Sequence, residues 1–287
     1  MKLVGKRAVV TGASQGLGLA IARVLLAEGA SVLICARNAA ELEAARLELD
    51  TAHPGKVFAE RCDVGQEAEL DEFAAAAARL LGGVDILVCN AGVYGPKGAI
   101  DTVDWAAWVQ AIQINLTGTV YCCRVFLPQL RESSRGKILI ISGGGATKPL
   151  PNLSAYAASK AGVVRFAETL AEELKPEGID VNSIAPGALN TRLLDEILEA
   201  GPEIVGEGFY KSAIKQRDSG GTSPELGGQL CAYLASCAGD GITGRLISAQ
   251  WDPWERMESF KEEMESTDVY TLRRIVPAER GKTWEDA

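Results

Sequence analysis

Apolar residues fall along the chain in short continuous runs, at residues 7–10, 31–36, 56–62, 84–90, 137–141, 179–184 and 245–249, nearly all separated by stretches with helical spacing. Runs this short and this uniformly apolar read as strands buried on both faces, and parallel strands need crossover connections such as the intervening helices supply. The pattern predicts an α/β fold, a doubly wound sheet of about seven parallel strands flanked by helices on both faces. The longest helical patterns cover residues 105–130 and 155–174. The Ala-rich stretch 73–81 reads as a core-facing helix, too short to cross a bilayer, which takes roughly 20 apolar residues.

No repeat, low-complexity tract or Pro/Gly/Ser-rich linker interrupts residues 1–249, so one domain is expected there. Two segments stand apart from the sheet pattern. Residues 188–223, rich in charge and glycine, are expected to form a lid over the substrate site. Residues 250–287, rich in Trp and charge, are expected to form an extension that packs on the site or on a neighbouring subunit.

Composition narrows the function classes. A chain of 287 residues with 47% hydrophobic content can bury a large core. Its 29 basic and 38 acidic residues give a net charge of -9, which repels phosphate backbones and anionic lipid, so neither a nucleic-acid nor a membrane partner is expected. The amino terminus runs into the first strand pattern without the segments of a secretory signal, and a cytoplasmic location is expected. Cys35, Cys62, Cys89, Cys122, Cys123, Cys231 and Cys237 show no metal-ligand spacing and read as small hydrophobes, so no metal is expected. The lone His53 lies in a Pro/Gly loop, which argues against a Ser-His-Asp hydrolase.

Ligands of doubly wound sheets bind beyond the carboxyl ends of the strands, so the residues after each run carry the chemistry. After the first run comes Thr11-Gly12-Ala13-Ser14-Gln15-Gly16-Leu17-Gly18, followed by apolar Leu19, Ile21, Ala22, Leu25 and Leu26 at helical spacing. Glycines between a strand and a helix let the backbone approach a pyrophosphate, and the helix amino terminus offers free N–H groups and positive partial charge. Gly12, Ser14, Gln15, Gly16, Leu17 and Gly18 are therefore candidate dinucleotide contacts, which makes the fold Rossmann-type. After the second run stands Arg37-Asn38 in place of the acid that would hold an NAD ribose. A guanidinium suits a 2′-phosphate, which favours NADP over NAD. Asp63 and Val64 are placed to flank the adenine, although Asp63 equally suits a helix cap. Asn90-Ala91-Gly92 puts small residues where the backbone would run close to the cofactor.

Tyr156 and Lys160 lie i, i+4 on the helical pattern 155–174 and share a face. An ammonium beside a phenol, helped by an oxidised nicotinamide, lowers the phenol pKa toward use as a proton donor and acceptor. Such a pair is common by chance; its weight comes from the other motifs.

Together, Thr11-Gly-x-x-x-Gly16-x-Gly18, Asn90-Ala-Gly92, Asn115, Tyr156-x-x-x-Lys160 and Pro186-Gly187 resemble the short-chain dehydrogenase/reductase (SDR) family over about residues 3–249. The resemblance implies an NADP(H)-dependent oxidoreductase interconverting a small-molecule carbonyl and a secondary alcohol. In these roles Tyr156 transfers the substrate proton, Lys160 lowers its pKa and holds the nicotinamide ribose, and Asn115 positions a relay water. Pro186, Gly187 and Thr191 would contact the nicotinamide, and a homodimer or homotetramer pairing through 105–130 and 155–174 is expected.

One position departs from that pattern. The family's carbonyl-polarising serine usually stands thirteen residues before the Tyr, where this chain has Gly143. Ser142 is the favoured substitute, with N–H groups of the following glycine run as an alternative. Ser154, at the helix start, reads as an N-cap. Two other functions stay open: a catalytically silent NADP-binding or scaffold protein, suggested by Gly143, and a nucleotide-sugar epimerase or dehydratase. If Arg273 and Arg274 of the tail face the cleft, a phosphorylated or carboxylated substrate such as a nucleotide sugar is expected.

Overall fold

The computed structural model describes residues 1–282. Seven parallel strands form one sheet: β1 (Arg7–Thr11), β2 (Ser31–Ala36), β3 (Val57–Arg61), β4 (Ile86–Cys89), β5 (Lys137–Ile141), β6 (Asp180–Ala185) and β7 (Leu246–Ser248). Their order, β3-β2-β1-β4-β5-β6-β7, reverses direction at β1, which pairs with both β2 and β4. The crevice beyond the ends of β1 and β4 is the switch point where such sheets bind ligands.

Alternate strand residues feed two cores, as a pleated strand requires. Val10, Ile34, Val88 and Leu139 pack with α1 (Gly16–Ala27), α2 (Ala39–Ala52) and α10 (Pro224–Ala235). Val9, Leu33, Leu87 and Ile140 pack with α3 (Glu67–Leu81), α5 (Gly118–Arg131) and α6 (Ser154–Leu174) on the other face. The Ala-rich stretch is core-facing: α3 buries Leu70, Phe73, Ala74, Ala76 and Ala77.

The helix expected over 105–130 is two helices, α4 (Trp105–Ile112) and α5, joined by one wide turn over Gln113–Thr117. An extra residue in the hydrogen-bond ladder turns Asn115 inward, and wide turns of this kind mark functional sites. Overall apolar periodicity does not register one inserted residue. Ser154 is likewise the first helical residue rather than a side-chain cap, and its Oγ accepts from Trp108 Nε1 at 3.0 Å.

The segment 188–223 folds as three helices, α7 (Arg192–Ala200), α8 (Pro202–Val205) and α9 (Glu207–Asp218). The tail packs back on its own chain. Trp254 meets Tyr233 of α10 edge-on at 5.6 Å, and α11 (Lys261–Ser266) follows. Tyr270 O accepts from Leu246 N at 2.8 Å, Arg245 Nη1 donates to Val269 O at 2.7 Å, and Leu272 N donates to Glu168 Oε1 at 2.6 Å. The tail thus covers the β7 edge, whose backbone would otherwise offer unpaired groups. The expected extension continues over 283–287, outside the described residues. Among the described residues, no helix is long and apolar enough to cross a membrane.

Candidate active site

The glycine turn after β1 is held from both sides. Asn90 Nδ2 donates to Thr11 O and Gly12 O at 2.9 and 3.0 Å, while Thr11 Oγ1 accepts from Asn90 N and Ala91 N at 3.0 and 3.1 Å. Gly12 has φ +64° and lies against Ala91, where a Cβ would come within 2.8 Å of its Cα. A Cβ on Gly18 would sit 2.3 Å from Gly12 O, so helix and turn touch backbone to backbone. Gln15 starts α1 without a side-chain cap, which leaves the first N–H groups of the helix free for an anion.

This turn forms one end of a cleft of about 1340 Å³ that is also lined by Ser14, Leu17, Arg37, Asn38, Asp63 and Val64. Asn38 caps α2 through Oδ1, accepting from Ala40 N at 3.0 Å, and Asp63 Oδ1 accepts from Gly65 N at 2.9 Å. Both side chains therefore organise the loops they stand on. Arg37 extends, exposed, from the tip of β2. The same wall includes Glu41, which sequence reading passed over because it falls in the first turn of α2, where an acid is ordinary helix chemistry.

Tyr156, Lys160 and Asn115 come together at the ends of β4 and β5. Lys160 Nζ donates to Ile141 O at 2.8 Å and lies 5.8 Å from the Tyr156 ring centre. Asn115 is 1% exposed; it accepts from Val93 N at 2.8 Å and donates to Val93 O and Ser159 Oγ at 2.8 and 3.0 Å. Gly92 lies between them, its Cβ direction 3.3 Å from Asn115 Oδ1 and 3.6 Å from Lys160 Nζ. Burial lowers Lys160 to about 8. Burial, then the neighbouring Tyr94, holds the Tyr156 phenol well above its ordinary value. Burial dominates, because a phenolate in this enclosure loses its hydration, while Lys160 Nζ is turned to the Ile141 carbonyl.

Ser142 borders the cleft, but its Oγ is enclosed and has no hydrogen-bond partner among the described residues. Gly143 is the residue that faces the phenol: a Cβ there would stand 2.2 Å from Tyr156 Oη. Gly143 is fully extended, at φ -173° and ψ 173°, so the preceding side chain of Ser142 is directed to the opposite side. Tyr94, four residues beyond Asn90, was missed from sequence. Its ring meets that of Tyr156 edge-on, centres 4.6 Å apart, and both pack with Leu153, Leu194, Ile197, Val205 and Ala213 beneath the lid helices.

The short chain dehydrogenase family matches residues 6–201. The chain belongs to the short-chain dehydrogenase family. A 2-dehydro-3-deoxy-L-rhamnonate dehydrogenase (NAD(+)) from a Sphingomonas strain is 34% identical over 196 residues, 68% of this chain and 77% of that protein. A 7alpha-hydroxysteroid dehydrogenase from Escherichia coli is 32% identical over 250 residues, 86% of this chain and 94% of that one. The RhlG/NADP active-site complex of Pseudomonas aeruginosa aligns at TM-score 0.76 and 31% identity, covering 86% of this chain and 95% of that one. Relatives carry NAD(+) or NADP in their names, so membership brings oxidoreduction with a nicotinamide cofactor but not the choice between the two.

In this short-chain dehydrogenase Pro186, Gly187 and Thr191 line the cleft between turn and lid. Gly187, at φ +94°, leaves room for Thr222, whose Oγ1 donates to Gln250 Oε1 at 2.8 Å and so ties the end of the lid segment to the start of the tail. Arg273 is engaged by Asp268 and Glu279 within the tail, and neither it nor Arg274 lines the cleft. The Arg pair therefore gives no support to a phosphorylated or carboxylated substrate. Among the described residues, no group of His, Cys, Asp or Glu is placed to hold a metal.

Proposed function

We propose that the chain is an NADP(H)-dependent oxidoreductase that interconverts a carbonyl and a secondary alcohol, with Tyr156 giving and taking the substrate proton. The carrying observation is the convergence of Tyr156, Lys160 and Asn115 beside Gly92, at the switch point of the sheet and at the floor of one continuous cleft. A dinucleotide fits the backbone cradle: Gly12, Gly16 and Gly18 open the turn, the uncapped start of α1 takes the pyrophosphate, and Arg37 takes the 2′-phosphate. Ser14, Gln15, Leu17, Asn38, Asp63, Val64, Asn90, Ala91, Pro186, Gly187 and Thr191 complete its walls. Bound NADPH supplies the hydride that reduces the carbonyl carbon.

The protein's part is the proton. Tyr156 stays protonated through the neutral range because its enclosure disfavours phenolate, so it is poised to donate to the reduced oxygen. Lys160, near neutral in its titration and one helical turn away, is the group that returns a proton to it. Asn115 shapes the backbone at Val93 and holds the relay water. The active form is a cytoplasmic homodimer or homotetramer acting on a small molecule.

The rival is a silent NADP-binding protein, favoured by Gly143. NADPH consumption over a broad carbonyl panel separates the two, with Tyr156→Phe and Arg37→Asp alongside. The expected result is wild-type turnover, a loss of about 10²- to 10⁴-fold in Tyr156→Phe with NADPH affinity kept, and weakened NADPH binding in Arg37→Asp. NADPH binding without wild-type turnover on any carbonyl overturns the reductase.

A further inference from the structure

The site has a proton donor in Tyr156, but Gly143 leaves the usual position of the carbonyl-polarising hydroxyl without one. Position 143 cannot supply one: a Cβ there would stand 2.2 Å from Tyr156 Oη, so the phenol already occupies the volume of any side chain. Ser142 cannot supply one either, since its Oγ is enclosed. Besides the N–H groups of Gly143 and Gly144, which also line the cleft, a hydroxyl donor has to come from another element and reach the space in front of Tyr156.

We propose that Tyr94 is that donor, its phenol hydroxyl hydrogen-bonding the substrate oxygen beside Tyr156 and taking the carbonyl-polarising role. This rests on the reductase reading above. Tyr94 is half-buried on the cleft wall, and its ring is fixed by the edge-on contact with Tyr156. Lys97 Nζ stands 5.8 Å from the centre of the Tyr94 ring and is bound to Glu196 of lid helix α7 at 3.0 Å. Lid, Lys97 and Tyr94 are thereby linked. Burial and Glu196 raise the Tyr94 phenol to about 12, which keeps it a neutral donor over the whole working range. Thr147 also lines the cleft, yet it is exposed.

The two phenols divide the work. Tyr156 transfers its proton to the oxygen as the C–H bond forms at carbon, and is reprotonated afterwards. Tyr94 donates a hydrogen bond throughout and transfers nothing. A preorganised neutral donor of this sort stabilises the charge that develops on oxygen.

The test measures kcat and KM on the best carbonyl of the panel for wild type, Tyr94→Phe, Gly143→Ser, Thr147→Val and Tyr156→Phe, together with NADPH affinity by fluorescence and the melting temperature. Tyr94→Phe keeps the ring and removes only the hydroxyl. The expected outcome is a kcat/KM about 100-fold below wild type, with NADPH affinity and melting unchanged, and Thr147→Val at wild-type activity. Gly143→Ser is expected to lose activity, because its Cβ displaces the Tyr156 hydroxyl. Wild-type activity in Tyr94→Phe, loss in Thr147→Val, or a gain in Gly143→Ser each overturns the Tyr94 assignment while leaving the reductase intact. Absence of wild-type turnover overturns both.

Discussion

The two ends of the cleft are built by different means. At the cofactor end the wall is backbone: Gly12 against Ala91, Gly18 against Gly12 O, and Asn90 tying both strands together. At the substrate end the wall is side chains from five separate segments, with Tyr94, Leu153 and Tyr156 meeting Leu194, Ile197, Val205 and Ala213 of the lid helices. Backbone contact at 2.3–2.8 Å from a would-be Cβ tolerates no added atom, whereas apolar side chains can repack. One end is therefore rigid, and the other is free to repack.

The sharpest way to break this comparison is Gly18→Ala. Its methyl group would meet Gly12 O and Asn90 Nδ2, at 2.3 and 2.5 Å, and neither can move without opening the turn. The expected cost is about 3 kcal/mol of stability and loss of measurable NADPH binding, read by thermal melting and fluorescence titration. A variant that binds NADPH normally would mean the cofactor end is as pliable as the lid.

Lys160, at the junction of the two ends, makes a pH-dependent prediction. Its folded pKa of about 8 lies below the ordinary lysine value. Below pH 8 folded and unfolded chains are both protonated, and the fold carries the full cost of burying the ammonium. As pH rises further the folded state releases its proton first, so that cost falls. Wild type should gain about 2 kcal/mol relative to Lys160→Met between pH 8 and 10, checked by denaturant unfolding at each pH. A constant difference would show that Lys160 is not desolvated.

The smallest effect belongs to the lid. Phe209→Ala removes a half-buried ring packed against the apolar lid cluster. KM for an apolar ketone should rise about 5-fold, roughly 1 kcal/mol, with NADPH affinity unchanged. A change in NADPH affinity would mean that the two ends are coupled.

Legibility in the sequence followed the same division. The strands, the glycine turn and the Tyr156–Lys160 pair sit in short contiguous stretches, where spacing alone dictates which groups share a face. Asn90-Ala91-Gly92 was legible as a run of small residues, whereas the hydrogen bonds from Asn90 to Thr11 and Gly12 join residues far apart in the chain. Ser142 was a plausible polarising hydroxyl by position along the chain, and only the extended geometry of Gly143 shows which of the two residues faces the phenol. Tyr94 gave no signal, since one aromatic residue in a loop is ordinary.

What the sequence determined by itself was the layered α/β architecture, the family and the glycine turn, because periodicity and backbone freedom are local properties. Tertiary structure alone decided the wide turn that aims Asn115, the closure of the β7 edge by the tail and the Tyr94–Tyr156 pair. Each of these depends on groups far apart in the chain meeting within a few ångströms, and burial at those meetings also sets the titration of Lys160 and Tyr156. No spacing along the sequence encodes that.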